Sequence, residues 1–207
     1  MKPYQRLGLI GRFKPLHNGG AVMLEALCEQ AEQLIVGIGS CNKYNVRNPF
    51  TAEESKEMID AVLSPHHKNY KIIYVPDFAH LAEYADGQKW KEHVKKHFGN
   101  LDAFITGNAY LCELLKDDYV VIHPATLIPE DKKTRLRGSA VRLDMARGGE
   151  AWKSSVPEAV AKYLEENKLV ARFRKEFGLQ ILIALVEGEN YTRPETKDEE
   201  EKHTKEK

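Results

Sequence analysis

The stretch GRFKPLHNGG, residues 11–20, is the part of the sequence from which the fold of this chain is predicted. An apolar segment (residues 7–10) precedes it and an amphipathic one (residues 21–31) follows it, an order that predicts strand, glycine-rich turn and helix. In a parallel α/β sheet, backbone N–H groups and the N-terminus of the first helix point into that turn and attract anions. Arg12, Lys14 and His17 add charge and hydrogen-bond donors suited to phosphate. The stretch therefore predicts a phosphate-binding turn after the first strand.

The rest of the chain repeats this alternation of apolar runs and amphipathic segments. Strands are predicted at residues 34–40, 71–75, 103–106 and 119–122, and helices at residues 51–63, 89–98 and 109–115. Regular alternation predicts an α/β fold, a Rossmann-like doubly wound parallel sheet of about five strands. C-terminal helices are predicted at residues 138–146 and 156–167, and residues 169–177 are expected to continue helically. The apolar run at residues 179–186 fits either a helix or an added strand.

Length and composition narrow the class of protein. The 207 residues suffice for one buried domain, predicted at residues 1–187, with residues 188–207 expected to form a charged, disordered tail. Lys plus Arg equals Asp plus Glu at 31 each, so the overall charge gives no sign of a nucleic-acid or membrane partner. Three separated cysteines suit a reducing compartment, and we recognise neither a membrane-length apolar run nor a signal peptide. A cytoplasmic protein is predicted, and a homo-oligomer is left open.

Residues 11–20 resemble the G-R-F-x-P-x-H-x-G-H signature of nucleotidyltransferases, specifically the nicotinamide-mononucleotide adenylyltransferases of the archaeal type. Every fixed position matches except the last, where Gly20 stands in place of the second histidine. The resemblance implies that His17 and Arg12 contact the phosphates of ATP, and that glycines let the backbone come close to the nucleotide. The ATP-binding residues that it implies in this stretch are Gly11, Arg12, Phe13, His17 and Gly19.

The stretch RNPFTAEE, residues 47–54, follows a G-I-G-S strand end and resembles R-[ND]-P-F-T-A-G-E-R of the same family. Arg47 lies on the loop beyond the second predicted strand, where open α/β sheets bind ligands, and can hold a phosphate with two hydrogen bonds. The resemblance assigns Arg47, with Ser40, to the mononucleotide, and a solvated loop arginine is the alternative. Ser55 stands where the family has its closing arginine.

The stretch VPDF, residues 75–78, and the tryptophan downstream resemble the family's nicotinamide pocket. A flat aromatic side chain can stack on a pyridine ring, especially a cationic one. The resemblance therefore assigns Asp77 and Trp90 to the mononucleotide. The alternative for Trp90 is a core position on a helix face.

Two later stretches match the same family in the same order. Residues 106–108 (TGN) match S-G-N at the end of the fourth predicted strand, and residues 137–142 (RGSAVR) resemble I-S-G-T-x-x-R. The second stretch reads as a helix start, with Ser139 as the predicted N-cap and Arg142 one turn on, a site for the β- and γ-phosphates. The resemblance extends over residues 6–167, and the further ATP-binding residues that it implies are Gly107, Asn108, Gly138, Ser139 and Arg142.

The resemblance implies a reaction in which the 5′-phosphate of nicotinamide mononucleotide attacks the α-phosphorus of ATP and releases pyrophosphate. Such catalysis depends on positioning and charge neutralisation, with Mg²⁺ on the phosphates of ATP rather than on a protein metal site. The implied catalytic residues are His17, Arg12 and Arg142. Gly20 supplies no side chain to the α-phosphate, and Lys14 or Arg137 is the hypothetical replacement.

Two alternatives to this function stay open at the level of the sequence. One is a transferase of the same superfamily with another substrate, of the cytidylyltransferase or pantetheine-phosphate adenylyltransferase type. The other is a catalytically degenerate protein that binds a nucleotide and acts as a sensor.

Overall fold

The apolar runs of the sequence form five parallel strands in a computed structural model that describes residues 2–134 and 136–186. The strands are β1 (Tyr4–Gly11), β2 (Ala31–Gly39), β3 (Tyr70–Val75), β4 (Ala103–Ile105) and β5 (Val121–Ile122). Their order in the sheet is β3-β2-β1-β4-β5, and every neighbouring pair is parallel. The predicted doubly wound α/β sheet is therefore confirmed.

Eight helices flank the sheet or follow it within the described ranges. They are α1 (Asn18–Gln30), α2 (Ala52–Leu63), α3 (Gln88–Phe98), α4 (Ala109–Leu115), α5 (Gly138–Ala146), α6 (Glu158–Glu166), α7 (Leu169–Phe173) and α8 (Leu179–Val186). A π-helical turn, Arg174–Gly178, joins α7 to α8. Helix α2 begins with a capping box, in which Thr51 Oγ1 accepts from the Glu54 N–H at 3.1 Å and Glu54 Oε2 accepts from the Thr51 N–H at 2.9 Å.

Buried apolar side chains form one cluster on each face of the sheet. The larger cluster joins β1 and β2 to α1, α2 and the C-terminal helices, and the smaller one joins the other face to α3 and α4. Gly8 shows how closely the smaller cluster packs against the sheet. A Cβ atom at this position would lie 2.6 Å from Leu101 Cδ1 and 2.8 Å from Phe98 Cδ1. None of the helices in the described ranges is long and apolar enough to span a membrane.

Several predicted element boundaries are corrected by the structure. Helix α1 begins at Asn18, three residues before the predicted start, because the His17 side chain caps it. Ser139 is not an N-cap: α5 begins at Gly138, and Arg137 occupies the cap position without a side-chain cap. The ambiguous run at residues 179–186 is helical and lies in α8. The predicted tail at residues 188–207 lies outside the described residues.

Candidate active site

The carboxyl ends of β1, β2 and β4 gather most of the predicted site residues. Strand β1 lies between β2 and β4, and the helices after β1 and β4 pack into clusters on opposite faces of the sheet. Open α/β sheets bind ligands at such a switch point. Two residues beside it, Phe13 (φ 53°) and Ser40 (φ 52°), adopt the left-handed conformation that side chains disfavour. Backbone strain of this kind concentrates at ligand sites.

His17 has two separate tasks at the start of α1. It is the N-cap residue, and its Nδ1 accepts a hydrogen bond from the Gly20 N–H at 3.1 Å. Since Nδ1 acts as the acceptor, the proton of the neutral ring lies on Nε2, which can donate to a phosphate oxygen. Burial, reinforced by the nearby Arg142 guanidinium, lowers the pKa of His17 to about 4. His17 is therefore a neutral hydrogen-bond donor at physiological pH.

The lowered pKa of His17 predicts an acid-sensitive contribution to stability. The folded protein keeps this ring neutral, so the contribution is complete above the ordinary value near pH 6.5 and is lost as the pH falls toward about 4. We expect His17→Asn, which keeps a capping side chain without a titrating ring, to lose less stability than the wild type over this range. Denaturant midpoints of both proteins across the range measure the difference. Parallel pH profiles would contradict the prediction.

Arg142 and the start of α5 close over the same turn. Arg142 is buried, and its Nη1 donates to the Lys14 carbonyl oxygen at 2.7 Å across 128 residues of sequence. The position that a Cβ of Gly138 would take lies 3.5 Å from Arg142 Nη1, 3.7 Å from His17 Cδ2 and 3.8 Å from the Lys14 oxygen. The structure thus brings together His17, Gly138 and Arg142, which the sequence placed in one phosphate site.

Gly11 and Gly19 allow close approach within this turn. A Cβ at Gly11 would lie 2.6 Å from Phe13 Cζ, because the phenyl ring folds back over the glycine. A Cβ at Gly19 would lie 2.8 Å from Thr134 Cγ2. Gly20 is buried, and a Cβ there would lie 3.1 Å from Leu16 Cδ1 and 3.8 Å from His17 Cε1. A side chain at position 20 would therefore stand beside the imidazole.

Ser40 and Asp77 meet at the ends of β2 and β3. The Ser40 hydroxyl donates to Asp77 Oδ2 at 3.2 Å. Asn42 fixes the Asp77 backbone through two bonds, accepting from its N–H at 2.8 Å and donating to its carbonyl oxygen at 3.0 Å. The Lys14 ammonium donates to the Ser40 carbonyl oxygen at 3.2 Å and so links this pair to the turn after β1.

For Arg47 and Trp90, the structure does not choose between the predicted mononucleotide contact and the alternative. Arg47 is exposed on a loop whose Asn45 side chain accepts from the Arg47 N–H at 3.0 Å. Trp90 is half-buried and packs against the smaller core cluster, which contains Val94 and Phe98. This packing agrees with the alternative of a core position, and stacking of Trp90 on a nicotinamide ring stays a prediction.

Gly107 lines an open cleft of about 670 Å³ beyond β4 and β5, and Asn108 follows it in the chain. A Cβ at Gly107 would lie 2.8 Å from His123 Nε2, so only glycine lets that ring approach. Asn108 caps α4, because its Oδ1 accepts from the Leu111 N–H at 3.1 Å. Its side-chain oxygen is therefore engaged, and the amide nitrogen is the group left for a nucleotide.

Sequence reasoning missed the part that the C-terminal segment plays beside this site. Arg172 in α7 donates from Nη1 to Glu54 Oε1 at 2.5 Å, and from Nη2 to Glu54 Oε2 at 2.7 Å and to the Pro49 carbonyl oxygen at 3.3 Å. Its guanidinium carbon lies 5.7 Å from the Tyr44 ring centroid, and Tyr44 also packs edge-on against Phe177. The loop that carries Arg47 is thus held by residues more than 100 positions away, and nothing in the local sequence signals the contact.

Comparisons with known proteins agree with the geometry of the candidate site. The family model described as cytidylyltransferase-like matches residues 9–200. The nicotinamide-nucleotide adenylyltransferase of Thermococcus onnurineus is 32% identical over 169 residues, which cover 80% of this chain and 84% of that protein. The enzyme of the same name from Methanocorpusculum labreanum is 33% identical over 173 residues, covering 82% of this chain and 96% of that protein.

The fold is also found in solved structures, one of which is a bifunctional NMN adenylyltransferase/ADP ribose pyrophosphatase from Francisella tularensis, crystallised with AMP and a manganese ion. The TM-score is 0.67 at 20% sequence identity, and the match covers 92% of this chain. The chain spans 58% of the length of that bifunctional protein, so the likeness concerns one part of it.

Proposed function

Because this chain belongs to the cytidylyltransferase-like family, we propose that it transfers AMP from ATP to nicotinamide mononucleotide, forming NAD and pyrophosphate. Relatives named nicotinamide-nucleotide adenylyltransferase align with at least 80% of the chain at about one-third identity. One structural observation carries the proposal: His17, Gly138 and Arg142 converge on the turn after β1, at the switch point of the sheet. Donors placed there suit a triphosphate.

The reaction needs no nucleophile from the protein. An oxygen of the mononucleotide 5′-phosphate forms a bond to the α-phosphorus of ATP, the bond from that phosphorus to the bridging oxygen breaks, and pyrophosphate leaves with the electron pair. His17 donates from Nε2, and Arg12 and Arg142 supply positive charge, to the triphosphate. Arg47, Ser40, Asp77 and Trp90 hold the mononucleotide. Catalysis then rests on orientation and neutralisation of developing charge.

Mg²⁺ enters this scheme on the phosphates of ATP, as part of the substrate. Within residues 2–134 and 136–186, no three His, Cys, Asp or Glu side chains cluster in a way that could hold a metal ion. The groups at the turn after β1 are instead cations and neutral donors, which suit phosphate oxygens.

The choice of acceptor tests the proposed function. Purified protein with ATP and Mg²⁺ is offered nicotinamide mononucleotide, its acid analogue and phosphopantetheine in turn, and CTP then replaces ATP. We expect pyrophosphate release with ATP and a pyridine mononucleotide. Faster release with phosphopantetheine or with CTP would instead support another transferase of the superfamily.

A protein that binds nucleotides without turnover is the second candidate. The observation that favours it is Gly20, where the backbone is buried beside His17 and carries no side chain. Binding of ATP without product formation would support this candidate.

Arg172 gives a prediction for the mononucleotide side of the site. Arg172→Ala leaves the Glu54 carboxylate without its bidentate partner and frees the loop that carries Arg47. We expect stability to fall by about 2 kcal/mol, and KM for the mononucleotide to rise about fivefold with KM for ATP unchanged. Steady-state kinetics and thermal unfolding measure both effects.

Arg174→Ala is the matched control for this change. Arg174 lies in the same segment but donates to the Met145 carbonyl oxygen at 2.7 Å and to the Gly149 carbonyl oxygen at 2.8 Å, away from the loop. It is expected to lower stability without a selective effect on KM. Equal effects of the two substitutions on KM would show that Arg172 only stabilises the fold.

A further inference from the structure

Lys14 is a buried cation with few partners. Its side chain is 2% exposed, yet within the described ranges the ammonium makes one hydrogen bond, to the Ser40 carbonyl oxygen at 3.2 Å. An ammonium group carries three N–H donors. Two of these donors therefore have no hydrogen-bond acceptor among residues 2–134 and 136–186.

None of the charged groups described around the Lys14 ammonium forms an ion pair with it. Arg12 repels the ammonium, and the carboxylates of Glu53 and Glu54 attract it without forming an ion pair. The Glu54 carboxylate is already engaged by Arg172 and by the Thr51 N–H. Burial is the main reason that the pKa of Lys14 falls to about 8, with the Arg12 charge adding to it and the Cys41 thiol and both glutamates opposing it.

Such an arrangement costs stability, because a buried charge without a counter-charge is worse for a fold than an apolar side chain of similar size. The location of Lys14 indicates what offsets the cost. Its backbone belongs to the turn after β1, where its carbonyl oxygen contacts Arg142, and its ammonium reaches the end of β2 at Ser40. The cation thus lies between the proposed triphosphate side and the proposed mononucleotide side.

We propose that the Lys14 ammonium binds an oxygen of the mononucleotide 5′-phosphate, the group that attacks ATP. The proposal rests on the proposed function for the identity of the acceptor. One N–H stays on the Ser40 carbonyl oxygen, and the remaining donors hold the phosphate beside the α-phosphate of ATP. The bound phosphate supplies the ion-pair partner that Lys14 lacks among the described residues.

Lys14→Met and Lys14→Gln test this assignment in the full-length protein. Both remove the charge, and glutamine can still donate to the Ser40 carbonyl oxygen. Calorimetric titration with nicotinamide mononucleotide is expected to show about 10- to 100-fold weaker binding in both variants, the range for a lost charge-assisted hydrogen bond. The unfolding midpoint of Lys14→Met is expected to equal or exceed that of the wild type.

Nicotinamide riboside, which lacks the phosphate, is the control ligand. Its affinity is expected to be the same in the wild type and in both variants. A Lys14→Met protein that is less stable, together with a Lys14→Gln protein that binds the mononucleotide as the wild type does, would overturn the assignment. If the wild type binds no nicotinamide mononucleotide, the proposed function fails. Titration with inorganic phosphate then tests the role of Lys14 by itself. Equal phosphate affinity of the wild type and Lys14→Gln would overturn the assignment of Lys14 to a phosphate.

Discussion

Replacing His17 by alanine is expected to lower kcat about 10²- to 10³-fold, because the site loses one preorganised donor to the triphosphate. The same change removes the cap of α1, where His17 Nδ1 accepts from the Gly20 N–H. We therefore also expect a loss of about 1 kcal/mol in the free energy of unfolding. Steady-state kinetics and denaturant unfolding measure the two effects separately.

His17→Asn separates catalysis from helix capping. Asparagine is a strong N-cap residue, so stability should return to near the wild-type value. Asparagine does not replace the donor that His17 Nε2 provides to the triphosphate, so kcat should stay low. Recovery of activity together with stability would show that His17 acts only as a cap.

Arg142→Gln is the second substitution with a large expected effect. Arg142 is buried and its Nη1 donates to the Lys14 carbonyl oxygen, so the change removes positive charge and a contact that shapes the turn. We expect kcat to fall about 10²-fold or more and KM for ATP to rise. Arg142→Lys keeps the charge without the planar fork and should recover only part of the loss.

The histidine titration distinguishes the electrostatic role of Arg142 from a structural one. The Arg142 charge helps to lower the pKa of His17, so that pKa should rise toward its ordinary value in Arg142→Gln. Nuclear magnetic resonance of the imidazole signals measures it. If Arg142→Gln keeps the pKa of His17 and a normal kcat but melts at a lower temperature, Arg142 has only a structural role.

The fold could be predicted because its signals are local. Short apolar runs between amphipathic segments identify parallel strands, and a Thr51–Glu54 capping box fixes where α2 begins. At two helix starts the prediction was wrong, because the residue at the cap position was not the expected one. His17 caps α1 and so extends it, while Ser139 lies inside α5 because the turn before Gly138 already has the cap geometry.

The site was predictable only in part, because sequence patterns do not show contacts between distant residues. The family resemblance assigned His17 and Arg142 to one phosphate site, and the structure brings the two side chains together. It could not show that Lys14 is buried without an ion-pair partner among the described residues, or that Arg172 binds Glu54 across 118 residues. Both depend on how the C-terminal helices and the ends of β1 and β2 pack.

NAD formation by the wild-type protein, compared with His17→Asn purified in the same way, is the most direct test of whether a site with Gly20 turns over. Both proteins receive ATP, Mg²⁺ and nicotinamide mononucleotide, and NAD and pyrophosphate are quantified together. We predict equal amounts of the two products from the wild type, at a rate about 100-fold or more above that of the variant. Nucleotide binding by both proteins, with no NAD from the wild type above the level of the variant, would contradict the account.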